Sequence, residues 1–124
     1  MRKVTRTIAR AFYCGDSESC GNTRTDGKSV WLHGNKIAFK DEDGNLHITN
    51  AGYKTNVTKE RLNGLLELGG FSSWPSPRIF QKNFRWYLAT GHIPAAEFPC
   101  NVWVSVKNEL DKAQKLDQFL NAVV

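Results

Sequence analysis

The stretch that most constrains how this chain can fold lies between Val30 and Thr49, where two turn signals cut an apolar run into pieces of strand length. Val30-Trp31-Leu32-His33 and Lys36-Ile37-Ala38-Phe39-Lys40 flank Gly34-Asn35, two residues able to take the positive φ of a tight hairpin turn. Asp43-Gly44 repeats the signal before Leu46-His47-Ile48-Thr49. Residues 30–50 are therefore expected to form a three-stranded antiparallel meander, which excludes an all-helical fold.

Helical periodicity brackets this meander. At about 100° per residue, Val4, Ile8, Ala11 and Phe12 fall on one face of residues 2–13, and Arg2, Lys3, Arg6 and Arg10 on the other. Cys14 to Lys28 is rich in Gly, Ser, Asp, Asn and Thr and reads as an exposed loop. Thr58 is placed to cap a short helix that carries Glu60 in its first turn, shares Leu62, Leu65 and Leu66 on one face and ends at Gly69-Gly70. Phe71 to Pro77 reads as a loop, followed by strands at Arg78–Gln81 and Phe84–Thr90 joined through Lys82-Asn83. Gly91, Pro94 and Pro99 break the next stretch. Val106, Leu110, Ala113, Leu116, Leu120 and Val123 recur every three or four residues and predict a terminal amphipathic helix. The class is α+β, expected as one small domain over residues 1–124, and its 40% apolar residues with four Trp suffice for a core.

No phosphate-binding glycine motif, G-x-S-x-G elbow or H-E-x-x-H occurs, so the chain reads as a non-enzymatic protein with no cofactor. Five residues separate Cys14 from Cys20, and no second close pair accompanies them, which argues against a zinc site completed by Cys100 or by His33, His47 or His92. Asp41-Glu42-Asp43-Gly44-Asn45 reads as a polar turn rather than a calcium loop. No segment is long and apolar enough to span a membrane, and charges run through the N-terminal stretch where a secretory signal keeps an apolar block. The expected compartment is a cytosol, where the three cysteines stay free thiols.

The ordered segments Leu32-His33-Gly34-Asn35-Lys36-Ile37-Ala38, Ala51-Gly52-Tyr53-Lys54-Thr55, Thr58-Lys59-Glu60-Arg61-Leu62-Asn63 and Gln81-Lys82-Asn83-Phe84-Arg85-Trp86-Tyr87-Leu88 resemble a group of small, uncharacterised accessory proteins of tailed bacteriophages. The resemblance covers roughly residues 5–90, and the stretch after His92 departs from it. It implies a phage origin and hence action in the host cytoplasm, and it carries no catalytic or cofactor residue.

Charge supplies the functional candidates. The net charge is +5, from 17 Lys and Arg against 12 Asp and Glu, and two segments hold the excess. One is the N-terminal helix, where Arg2, Arg6 and Arg10 at steps of four align to meet successive phosphates or else form a solvated face. The other spans residues 51–90, with six basic residues, Lys54, Lys59, Arg61, Arg78, Lys82 and Arg85, against Glu60 and Glu67. There Phe84 and Trp86 share one strand face, either as core or as a platform on which bases stack. The leading expectation is a surface made by Arg2, Arg6, Arg10, Lys54, Arg78, Lys82, Arg85 and Trp86 that binds nucleic acid or a nucleic-acid-bearing machine. The alternative is a stoichiometric inhibitor or adaptor that docks on a host enzyme or anti-phage defence complex, with Trp74 as an anchor. The terminal helix offers a seam through which two copies could pair.

Overall fold

Three helices and nine short strands build the chain in a computed structural model that describes residues 1–71, 76–91 and 95–123. Helix α1 (Lys3–Cys14) is followed by β1 (Glu18–Cys20), β2 (Thr23–Thr25), β3 (Ser29–Leu32), β4 (Asn35–Lys40) and β5 (Leu46–Ile48). Helix α2 (Asn56–Leu68) leads to β6 (Arg78–Lys82), β7 (Arg85–Ala89), β8 (Ala96–Glu97), β9 (Val104–Ser105) and α3 (Val106–Val123). The larger sheet runs β1-β2-β3-β4-β5-β9 and the smaller β6-β7-β8, with every pairing antiparallel. The α+β class and the expected meander are both present.

Several expectations are corrected. The segment 14–28 is not simply a loop, because β1 and β2 extend the meander, and β2 turns the β-branched Thr23 and Thr25 inward. The first hairpin turns at His33-Gly34, both at positive φ, one residue earlier than expected. Thr55, not Thr58, caps α2: its hydroxyl accepts from the Thr58 N–H at 3.1 Å, and Thr58 is buried inside the first turn. Along α3, Val106 and Ala113 are buried and Leu110 half-buried, but Leu116 is 44% exposed, so the expected seam does not continue inward through it. The side chains of Leu120 and Val123 lie outside what is described.

One contiguous core joins the layers. Ile8, Ala9 and Phe12 of α1 meet Leu62, Leu65 and Leu66 of α2, the inward residues Val30, Leu32, Ile37 and Ile48 of the larger sheet, and Ile79, Trp86 and Leu88 of the smaller. The contact between α1 and α2 is close because Gly64 admits it: a Cβ there would lie 2.1 Å from Thr5 Cγ2. A polar bolt crosses the same seam. Arg61, 4% exposed, donates to Thr23 Oγ1 and Thr5 Oγ1 at 2.9 Å each and to Glu60 Oε1 at 3.0 Å, while the Thr5 hydroxyl donates to the Glu60 carboxylate. Arg61 is thus consumed inside the fold and adds nothing to a basic surface. The Tyr13 hydroxyl donates to the Leu65 carbonyl, and burial pushes its pKa well above the ordinary tyrosine range.

Candidate nucleic-acid interface

The β6–β7 hairpin pairs in the register Arg78↔Ala89, Ile79↔Leu88, Phe80↔Tyr87, Gln81↔Trp86 and Lys82↔Arg85. Cross-strand partners share a face and neighbours alternate, so Ile79, Trp86 and Leu88 look inward. Arg78, Phe80, Lys82, Arg85 and Tyr87 then form one outward row. Within it Phe80 and Tyr87 stack with ring centroids 5.5 Å apart, and the Arg78 guanidinium sits 5.3 Å from the Phe80 centroid. Glu97 of β8 pairs with Tyr87 and sets one carboxylate at the border of the row.

The turn that ends this row carries the least expected residue. Asn83 (φ 52°) and Phe84 (φ 66°) form a two-residue turn in which both residues take positive φ, as a type I′ hairpin demands. Asn suits the first position, but the second is normally glycine, because a bulky side chain in the left-handed region costs on the order of 1–2 kcal/mol. Phe84 nonetheless occupies it and is 86% exposed. Lys54 Nζ donates to the Phe84 carbonyl at 3.1 Å, which brings a third cation to the tip beside Lys82 and Arg85.

Four of the residues expected from sequence, Lys54, Arg78, Lys82 and Arg85, therefore meet on this hairpin. Trp86 does not join them. It is 1% exposed, stacks with Phe98 at 6.3 Å and belongs to the core, so it presents no face to a base. Phe84, expected to share its face, escapes because it stands in the turn and not in the strand. Trp74 lies outside the described residues. Arg2, Arg6 and Arg10 are all exposed on or beside α1, a different element from the hairpin. On a helical wheel, Glu60, Arg61 and Gly64, which meet α1, occupy one side of α2. Lys59, whose ammonium lies 5.9 Å from the Trp86 ring, and Asn63, which bonds both the N–H and the carbonyl of Ile79, lie farther round the helix and meet the hairpin. Both α1 and the hairpin's β6 pack on α2.

Sequence reasoning missed a second aromatic group, half-buried except for the exposed Trp103, on the outer face of the larger sheet. Arg24, Trp31 and Lys36 are cross-strand neighbours, with the Arg24 guanidinium 4.0 Å and the Lys36 ammonium 5.6 Å from the Trp31 centroid. Farther along, Phe39 stacks on His47 at 4.6 Å and meets Trp103 edge-on at 4.8 Å. Strict alternation through Val30-Trp31-Leu32 was the available signal. The Asp41 carboxylate accepts from His47 Nε2 at 2.9 Å and from the Asn45 and Asp43 N–H groups, which together hold its pKa below the ordinary value. Cys14, Cys20 and Cys100 are unpaired, and among the described residues no group of His, Cys, Asp and Glu is arranged to hold a metal. No helix among the described residues is long and apolar enough to cross a membrane.

A protein-family model described as Kyanoviridae Gp96 protein matches residues 1–105, a span that ends immediately before α3. No curated protein and no solved structure matches the chain significantly.

Proposed function

The chain belongs to the Kyanoviridae Gp96 family of phage proteins, and from that premise we propose that it is a non-enzymatic accessory factor that binds single-stranded nucleic acid in the host cytoplasm. The observation that carries the reading is the outward row of the β6–β7 hairpin, where Arg78, Phe80, Tyr87, Lys82 and Arg85 lead to the exposed Phe84. Rings on such a row offer π-faces to unstacked bases, and the flanking cations meet the phosphates that link them. The exposed Phe84 adds a stacking or wedging ring at the end of the track.

Fluorescence-anisotropy titration with single-stranded and duplex DNA and RNA over a range of salt tests this. Binding is expected to favour single strands, and the joint reversal Lys82→Glu, Arg85→Glu is expected to lower the salt slope by about two. Equal effects from reversing Arg6 and Arg10 would refute the assignment to the hairpin.

The 86% exposure of Phe84 favours a second reading, in which this ring anchors a host enzyme or defence complex instead. Pull-down from host lysate separates the two, since a protein partner survives nuclease treatment and a nucleic-acid tether does not.

A further inference from the structure

Phe84 is the most exposed large apolar side chain among the described residues, and two others, Val102 and Trp103, at 49% and 43% exposed, line one cleft of about 480 Å³. The cleft is bounded by β7 and β8, the segment 98–103 and the first turns of α3. Buried Leu88 and Phe98 close its floor, while Ala96, Pro99, Val102 and Trp103 leave apolar surface open along its wall. Apolar side chains scattered singly over a surface need no explanation, but apolar surface gathered in a cleft marks an interaction site. The volume falls within the roughly 300–1,000 Å³ of ligand pockets, room for one aromatic ring and the stems of its neighbours.

The polar part of the wall sets the charge of what fits. Ser105 Oγ is engaged, accepting from the Asn108 N–H at 3.3 Å, and Lys112 pairs with Glu109 at 3.4 Å. Glu97, exposed on β8, has no ion-pair partner among the described residues. The cleft thus sets two carboxylates against one ammonium, in a chain whose net charge is +5. An aromatic ring flanked by cations suits it, and the hairpin tip is such a group: Phe84 stands beside Lys82 and Arg85, with Lys54 Nζ on its carbonyl at 3.1 Å. At 86% exposed, Phe84 does not occupy the cleft of its own chain. We infer that the tip of one copy docks in the cleft of a second copy, with Phe84 against Pro99, Val102 and Trp103 and a tip cation toward Glu97. The contact joins two different patches, so it closes into a dimer by reciprocal exchange or runs on head to tail. One ring with its flanking stems buries less than the roughly 1,200 Å² of a stable interface, so association is weak and concentration-dependent. The inference does not rest on the nucleic-acid reading, although a bound strand and a second copy compete for the same tip.

The test is sedimentation velocity of the nuclease-treated full-length protein over a range of concentration. The wild-type chain is expected to gain mass as concentration rises. Phe84→Gly, which removes the ring and fits the turn, and Val102→Lys, at an exposed position outside the hairpin, are each expected to weaken self-association about tenfold. An equimolar mixture of the two variants is expected to recover association, because one supplies an intact cleft and the other an intact tip. A wild-type chain that stays monomeric throughout, a Phe84→Gly chain that associates like wild type, or a mixture no heavier than its components would overturn the inference. If single strands bind a chain that never self-associates, the docking proposal fails and the hairpin reading stands. Self-association lost in each variant and recovered in the mixture, without strand binding, would support the docking and overturn the hairpin reading.

Discussion

Helix α1 and the β6–β7 hairpin each put cations on one face and apolar side chains on the other, and each packs on α2. Their construction differs. α1 ends in ordinary fashion: Gly15 in the left-handed region returns its N–H to the Phe12 carbonyl, and Lys40 Nζ donates to the same oxygen at 2.7 Å. Its arginines follow from helical spacing, and nothing in the backbone depends on them. The hairpin holds a bulky residue at positive φ and leaves it 86% exposed, an arrangement that costs stability and adds nothing to the core. Charge alone therefore ranks the two segments equally, whereas strain combined with an exposed ring singles out the hairpin.

The largest effect that could break this comparison comes from the hairpin's inward side. Trp86→Ala is expected to lower unfolding free energy by about 3–5 kcal/mol in denaturant titrations. An unchanged midpoint would make the hairpin a peripheral flap whose strain means little. The α1 side has its own test at Gly64. Although alanine is the better helix former by about 1 kcal/mol, Gly64→Ala drives a methyl into Thr5 and should destabilise by about 1–3 kcal/mol. Thr5→Ser in that background removes the clashing methyl, keeps the hydroxyl for Glu60 and Arg61, and should restore most of the loss.

Phe84→Gly sharpens the contrast from the functional side. Glycine fits the second turn position, so thermal unfolding should show a gain of about 1 kcal/mol, while single-strand affinity falls about tenfold. A variant that is both more stable and equally competent would remove the reason for the strain. The smallest effect is acidification. The ionised Asp41 carboxylate is favoured in the fold by His47 and two backbone N–H groups, and that of Asp26 by the Lys28 and Ser29 N–H groups, so both pKa values lie below the ordinary 3.8. Their contribution is complete above that value and is lost as pH falls through the lowered ones. Protection of the Asn45 and Ser29 amides, taken relative to intrinsic exchange, should fall in that window, with the Asn83-Phe84 turn, which contains no acid, unchanged.

Legibility in the sequence followed the strength of local signals. The meander was readable because glycine and asparagine mark turns and apolar residues fill the strands between them. β1 and β2 were hidden because Thr23 and Thr25 bury methyl groups under a polar composition, and β8 and β9 are two residues each, too short for any period to register. The candidate site was half legible. Its cations can be counted from sequence, but no propensity places phenylalanine at positive φ, so the sequence alone points to a turn at Lys82-Asn83, one residue early, and to Phe84 on the face of Trp86.

The larger sheet also carries a consequence for the order in which the chain acquires its structure. β1 to β5 pair with one another in sequence order and can form early from local contacts. The free side of β5 is covered later, by His47↔Ser105 and Ile48↔Val104, once residues from the far end of the chain arrive. During synthesis, and in any product truncated before Val104, that strand presents open backbone groups and invites a second chain to complete it. The two residues of β9 therefore act as a seal, and their loss should be read first in aggregation during expression.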